Sequence, residues 1–201
     1  MRALAVYCGS SLGSLPAYAA AAAELGRALA ARKCTVVYGG SHAGLMGVVA
    51  DAALGAGGRV IGVIPHSLVG RELAHTGLTQ LEVVDSMHSR KARMCELSDA
   101  FVALPGGIGT LEEILEMFTW NQLGIHAKPC ALLNIDGFYD DFVAFLRRVV
   151  EQGLLKRGQF ERLLVVDSVA ALLAVLEQWP ETASGAAACG AALSQAPLPA
   201  Q

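Results

Sequence analysis

The sequence predicts an α/β protein in which a Rossmann-like, doubly wound parallel sheet of about seven strands forms the middle of three layers. Short apolar runs rich in β-branched residues alternate with longer stretches of helical periodicity, which is typical of successive βαβ units. The runs are apolar at nearly every position, as expected for strands that are covered on both faces. Glycine-rich segments follow three of the runs, where strands of such a sheet pass into helices.

Seven runs are predicted as strands, at residues 4–8, 35–38, 60–64, 81–84, 100–104, 130–133 and 163–166. Six helices are predicted between and after them, at about 16–32, 44–56, 87–98, 110–123, 138–152 and 168–178. Proline and glycine interrupt the segment 64–80, so it is predicted as a loop with at most one helical turn. The length of 201 residues fits one domain at 1–180, followed by a flexible tail at 181–201 that is rich in Ala, Gly, Ser and Pro.

Composition and charge exclude several classes of protein. A net charge of −3 argues against a nucleic-acid binder or a membrane-surface protein, since both need a cationic face. The first apolar run is too short for a signal peptide, and no stretch is long and apolar enough for a spanning helix. Five cysteines without a CxxC spacing argue against a disulfide framework, and the histidines form no metal-binding pattern. We therefore expect a cytoplasmic protein without a metal site or a membrane partner.

The three glycine-rich segments lie at residues 8–11, 38–44 and 104–110. Glycines let backbone N–H groups approach a phosphate closely, and the dipole of the following helix favours an anion. One such segment can be only a tight turn, but three at successive strand ends favour an anion site. The spacing matches neither a Walker loop nor GxGxxG, so neither an ATPase nor a dehydrogenase is indicated.

Two interpretations of the helix that follows the third glycine-rich segment remain open. Thr110 and Glu113 have the spacing of a capping box, which would make the acid structural. Helical projection instead places Glu113 with Met117 and Trp120, away from the apolar side formed by Leu111, Ile114, Leu115 and Phe118. That arrangement predicts that Glu113 faces a cleft or a subunit contact.

The helix at 87–98 presents the opposite charge. Arg90 and Lys91 lie on or beside an apolar stripe made by Met87, Met94 and Leu97. Basic groups on such a stripe either pair with an anion or extend their charged ends past the core into water. The forked guanidinium of Arg90 suits a phosphate or a carboxylate.

Two long motifs carry a resemblance to a known family. P-G-G-x-G-T-x-x-E occupies residues 105–113, and M-H-x-R-K-x-x-M occupies residues 87–94. With further matching segments from about residue 3 to 178, the chain resembles the LOG (Lonely Guy) family of cytokinin riboside 5′-monophosphate phosphoribohydrolases, formerly mislabelled as lysine decarboxylases. Two departures, Ser41 in place of a third glycine and Ser89 before Arg90, concern substrate preference and loop geometry.

The resemblance implies a Rossmann-like homodimer that uses no cofactor. The implied substrate is an adenosine-type 5′-monophosphate, which is cleaved to a free base and ribose 5-phosphate. Arg90 and Glu113 match the catalytic pair of the family. The implied substrate-binding residues are the phosphate loop Gly107, Ile108, Gly109 and Thr110 with the adjoining Leu111 and Glu112, and also Glu72, Lys91, Thr119, Ser10 and Gly40.

Other functions compete with this one. Molybdenum-cofactor carriers use a similar scaffold to bind a pterin nucleotide without chemistry. A pyridoxal-dependent decarboxylase needs a Schiff-base lysine, and none of the four lysines (Lys33, Lys91, Lys128 and Lys156) has a recognisable cofactor setting. A housekeeping AMP nucleosidase would use the same chemistry on an unmodified base.

Overall fold

The structure, a computed structural model, describes residues 1–69 and 74–179. Its strands are β1 (Ala3–Tyr7), β2 (Thr35–Tyr38), β3 (Val60–Pro65), β4 (Gln80–Val84), β5 (Ala100–Ala103), β6 (Cys130–Leu133) and β7 (Leu163–Val166). Its helices are α1 (Pro16–Ala31), α2 (Gly44–Gly55), the short α3 (His66–Leu68), α4 (Met87–Leu97), α5 (Ile108–Gln122), α6 (Asp140–Glu151), the short α7 (Arg157–Phe160) and α8 (Val169–Glu177). The proposed tail at 181–201 lies outside the described residues.

The strands form one parallel sheet in the order β4-β3-β2-β1-β5-β6-β7. The predicted fold class is therefore confirmed, and each strand lies within one residue of its predicted bounds. The chain runs outward from β1 to β4 and then crosses back to β5, so the strand order reverses between β1 and β5. Ligands of such sheets bind in the crevice at the carboxyl ends of the two strands that flank this reversal.

The expectation that strands are covered on both faces holds only in the middle of the sheet. All residues of β1 are buried, whereas Leu81 and Val83 of the edge strand β4 are 37% and 41% exposed. An edge strand has a neighbour on one side only, and the flanking helices do not extend fully over it. The short α7 was not predicted, because four residues are too few to show a helical period.

Alternation along the strands divides the core into two layers. Leu4 and Val6 of β1 face the layer of α1, α2 and α8, which we call the α1 face. Ala5 and Tyr7 point to the opposite layer of α4, α5 and α6, which we call the α4 face. On the α1 face, Gly26 lets two helices approach closely, since a Cβ there would lie 2.5 Å from the backbone oxygen of Val49.

The helix starts show how the sequence fixes local structure. Pro16 occupies the first turn of α1, where its missing N–H leaves no bond unmade. The side chain of Ser86 caps α4 by accepting a hydrogen bond from the backbone N–H of Ser89 at 3.1 Å. No helix in the described parts of the chain is long and apolar enough to cross a membrane.

Of the two interpretations of α5, the capping box formed by Thr110 and Glu113 is wrong. The helix begins at Ile108, two residues earlier than predicted, and its N-cap is Gly107, which makes no side-chain capping bond. Thr110 is consequently the third residue of the helix and is buried beneath Gly106, where a Cβ would lie 2.1 Å from the threonine hydroxyl. The structure leaves Glu113 free for a different partner.

Candidate active site

A buried ion pair joins α4 to α5. Nη1 of Arg90 lies 3.0 Å from Oε1 of Glu113, and the two side chains are only 10% and 11% exposed. Nε of Arg90 donates a hydrogen bond of 3.0 Å to the backbone carbonyl of Val63 in β3. The guanidinium is therefore fixed from two sides, and the two residues that match the family's catalytic pair are brought together.

Gly39 provides the space for this guanidinium. A Cβ at Gly39 would lie 2.2 Å from Nη2 of Arg90 and 3.2 Å from the sulfur of Met46. The sequence marked this segment only as a glycine-rich turn, so this role of Gly39 was missed. No local signal could have shown it, because Arg90 approaches from a helix fifty-one residues further along the chain.

The environment raises the pKa of Glu113 above its ordinary value. Burial is the largest cause, because it disfavours the charged carboxylate. The positive charge of Arg90 acts in the opposite direction, whereas the neighbouring Glu112 adds to the increase. A carboxyl group with a raised pKa is suited to proton transfer near neutral pH.

Lys91 forms a second link between the helices. Its ammonium group is hydrogen-bonded to Glu112 and lies 2.9 Å from Oε2 of Glu116. Burial lowers the pKa of Lys91, but the hydrogen bonds to the two carboxylates outweigh it, so the net shift is upward and the group stays charged. Glu116 was missed by the sequence analysis, although its i, i+4 spacing from Glu112 places both acids on one side of the helix.

The first turn of α5 is open to a ligand. A Cβ on Gly107 or Gly109 would meet no atom within 4 Å, and Ile108 is 81% exposed. The first N–H groups of a helix have no partner within it, and here the helical bonds begin with the N–H of Leu111, which donates to the carbonyl of Gly107. This turn presents the backbone donors and the positive end of the helix dipole that a phosphate needs.

The three glycine-rich loops meet around this turn. The N–H of Gly9 donates to the carbonyl of Pro105 at 3.1 Å, and the carbonyl of Gly9 accepts from the N–H of Leu45 at 3.0 Å. A Cβ on Gly44 would lie only 2.3 Å from the carbonyl carbon of Ser10. The expectation that these loops share one edge of the sheet is confirmed.

A cavity of about 260 Å³ opens between the first and third loops. Ser10 and Gly107 form its polar side, and Leu12, Tyr18 and Phe138 form an apolar side. The rings of Tyr18 and Phe138 meet edge to face at 5.6 Å. The Arg90–Glu113 ion pair does not line this cavity.

The remaining predicted residues have separate surroundings. Gly40 adopts a positive φ of 76° in a turn, and its carbonyl accepts from the N–H of His75 at 2.9 Å. Thr119 is exposed, and its hydroxyl donates to the carbonyl of Leu115 at 2.7 Å. It lies about 9 Å beyond Glu113 along the helix axis, so this chain alone does not bring it to the ion pair. Glu72 lies outside the described residues.

The buried side of α5 differs from the predicted one. Glu113 and Met117 both point into the α4 face, and Met117 is completely buried in the core of its own chain. The interpretation that Met117 marks a subunit contact is therefore wrong, whereas Trp120 is only partly buried against the same core. Projection placed the acid away from the sheet, but pairing with Arg90 allows it to be buried there.

Comparison with known proteins identifies the family. A family profile described as "possible lysine decarboxylase" matches residues 46–176. The probable cytokinin riboside 5′-monophosphate phosphoribohydrolase LOGL9 of Oryza sativa subsp. japonica is 48% identical over 89% of this chain and 78% of its own length. The chain belongs to the LOG family. Its relatives include LOG3 of Arabidopsis thaliana, which carries the same enzyme name and is 45% identical over 89% of this chain and 83% of its own length.

Solved structures confirm the fold of this LOG-family chain. The molybdenum cofactor binding protein from Rippkaea orientalis superimposes with a TM-score of 0.67 at 21% identity, covering 88% of this chain and 95% of that one. The molybdenum cofactor carrier protein of Chlamydomonas reinhardtii gives the same TM-score at 22% identity, covering 88% and 96%. At this level of identity the likeness concerns the scaffold and says nothing of the ligand.

Proposed function

We propose that this LOG-family protein hydrolyses the N-glycosidic bond of a cytokinin riboside 5′-monophosphate. The products are the free adenine-type base and ribose 5-phosphate. Relatives that carry this enzyme name are 45–48% identical over about nine-tenths of the chain. The observation that carries the proposal is the buried Arg90–Glu113 ion pair at the helix that begins with the open glycine turn.

Glu113 acts on the sugar in this proposal. Breaking the bond between C1′ and the base builds positive, oxocarbenium-like charge on the ribose. A carboxylate beside C1′ stabilises that charge or accepts a proton from the attacking water. The buried position of Glu113 strengthens both effects, because charges interact more strongly where water is excluded.

Arg90 and the start of α5 position the substrate. Arg90 balances the buried charge of Glu113 before the substrate arrives, and its fork can then hold polar groups of the nucleotide. The free N–H groups at Gly107, Ile108 and Gly109 bind the 5′-phosphate. Binding energy gained at the phosphate then fixes the reacting carbon of the ribose against the carboxylate.

The product assay tests this function and separates it from a carrier function. The protein is incubated with isopentenyladenosine 5′-monophosphate and, separately, with AMP, and free base and ribose 5-phosphate are measured by chromatography. We expect equal amounts of both products, and the faster substrate identifies the preferred base. Thermal stabilisation by either nucleotide without release of base would contradict hydrolysis and favour a binding protein.

The assembly and location are also proposals. We propose a homodimer in the cytoplasm, supported by membership of the LOG family alone, because the proposed contact at Met117 belongs to the core of a single chain. Thr119, which lies far from the ion pair of its own chain, would meet a substrate only where a second subunit presents it. Light scattering of the purified protein distinguishes a monomer from a dimer.

A further inference from the structure

We infer that Tyr7 is a positioning residue whose buried hydroxyl orients the carboxylate of Glu113 during the reaction. The inference rests on the proposed role of Glu113 and adds a residue that neither the motifs nor the family comparison singles out. Tyr7 is the last residue of β1, at the strand end beside which the sheet order reverses.

Tyr7 lies on the same face of the sheet as the two helices that form the ion pair. β1 packs against both α4 and α5, the helices that carry Arg90 and Glu113. Met94 and Met117 follow those two residues by one helical turn, and both belong to the same buried cluster as Tyr7. The ring of Tyr7 therefore belongs to the buried layer that also contains the next turn of each of the two helices.

The hydroxyl of Tyr7 is buried and has a donor that is free among the described residues. Tyr7 is 1% exposed, and its Oη makes no hydrogen bond to any described residue. Its ring is stacked on Phe101 with centroids 6.4 Å apart, so the side chain is held in place. Buried hydroxyls nearly always have a partner, so the Oη of Tyr7 is a donor that remains available to a group that comes within reach.

The charges of Glu113 and Arg90 both act on this hydroxyl. Burial raises the pKa of Tyr7 first, and the negative charge of Glu113 raises it further, while Arg90 acts in the opposite direction. The phenol consequently keeps its proton and can only strengthen a nearby anion as a donor. The titratable or charged groups around Glu113 and Tyr7 are Arg90 and Lys91 of α4, Glu112 and Glu116 of α5, Cys8 after β1 and Cys130 of β6.

Tyr7 supplies Glu113 with a second hydrogen-bond donor when Arg90, the first donor, binds the nucleotide. When Arg90 turns its guanidinium toward the nucleotide, Glu113 loses its charged partner at a buried position. The O–H of Tyr7 then donates to the carboxylate, keeping it ionised and aimed at the ribose. Loss of that donor raises the pKa of Glu113, so the acidic limb of the activity profile moves to higher pH.

The test compares Tyr7→Phe with Tyr38→Phe. Tyr38 ends the neighbouring strand β2 and also has a completely buried hydroxyl without a partner among the described residues, but it faces α1. With isopentenyladenosine 5′-monophosphate as substrate, Tyr7→Phe should lower kcat about tenfold, leave KM nearly unchanged and shift the acidic limb upward. Tyr38→Phe should change none of these.

Two outcomes would overturn the inference. In one, Tyr7→Phe matches the wild type in kcat and pH profile. In the other, both variants lose activity equally, which would indicate a general packing effect. Glu113→Gln, measured in parallel, separates this failure from failure of the proposed function: an inactive Glu113→Gln with a normal Tyr7→Phe refutes only the role of Tyr7.

A second measurement does not need the Tyr7 variant to fold. The chain contains four tyrosines, so after 3-fluorotyrosine labelling the Tyr7 resonance is identified by elimination from Phe variants of Tyr18, Tyr38 and Tyr139. Glu113→Gln should move the Tyr7 fluorine resonance and leave that of Tyr38 in place. A Tyr7 resonance that does not respond would contradict the inference.

Discussion

The two faces of the sheet differ in what they bury. On the α1 face, the core consists of aliphatic and aromatic side chains from α1, α2, α8 and the strands. On the α4 face, the same kind of core also encloses Arg90, Lys91 and Glu113, which are the buried charged residues of the described chain. Both faces belong to one sheet, so the difference arises from the helices that cover it.

This difference shows how the protein separates stability from chemistry. Buried charge is costly unless it is paired, and α4 and α5 pair it twice, through Arg90 with Glu113 and through Lys91 with Glu112 and Glu116. The apolar α1 face carries no such cost and stabilises the scaffold. Substitutions on the α4 face should therefore lower activity with little loss of stability. Substitutions on the α1 face should lower stability with little loss of activity.

The largest effect is expected from Glu113→Gln on the α4 face. The amide keeps the shape and a hydrogen-bond acceptor for Arg90 but cannot carry charge or accept a proton, so turnover should fall at least ~100-fold. Release of base is measured by chromatography, and folding by thermal melting. The control is Glu96→Gln on the surface of α4, where the carboxylate pairs only with Arg93 among the described residues. Turnover near the wild-type value in folded Glu113→Gln would refute the catalytic role.

The α1 face should respond in stability alone. Leu25 of α1 is completely buried there, and Leu25→Ala should lower the free energy of unfolding by about 2–5 kcal/mol because it leaves a cavity. Urea denaturation measures this loss. The kcat of the folded fraction should stay at the wild-type value, and a fall comparable to that of Glu113→Gln would show that the two faces are not separate in function.

The smallest of the three expected effects concerns Gly39, which lies beside the guanidinium of Arg90 on the α4 face. In Gly39→Ala the new methyl group would displace the guanidinium of Arg90 rather than backbone atoms. We expect kcat/KM to fall about tenfold, since a misplaced positioning group weakens transition-state binding, with little change in melting temperature.

The matched control for Gly39 is Gly55→Ala at the end of α2. A Cβ there meets no atom within 4 Å, so both activity and stability should be retained. A Gly39→Ala variant with full activity would show that the guanidinium does not need its observed position. Equal losses in activity and stability would instead indicate a damaged fold.

The sequence alone determined the architecture and marked Arg90 and Glu113 as candidate site residues, and the resemblance to the LOG family implied that they act as a pair. Strand and helix periods are local properties, so all seven strands and the six longer helices were predicted within two residues. The capping box, one of the two interpretations left open, and the predicted buried side of α5 are both wrong for one reason. Local rules treat Glu113 as a polar residue that faces away from the core, whereas Arg90 neutralises it from another helix.

The tertiary structure decided everything that depends on contacts between distant segments. Only the packing of α4 on the sheet brings Arg90 against Gly39 and the carbonyl of Val63. Only the alternation of side chains along β1 directs Tyr7 to the face that α4 and α5 cover. Such contacts leave no periodic signal, because each partner obeys the pattern of its own element. The sequence thus specified which residues are charged and which elements carry them, and folding specified which charges meet.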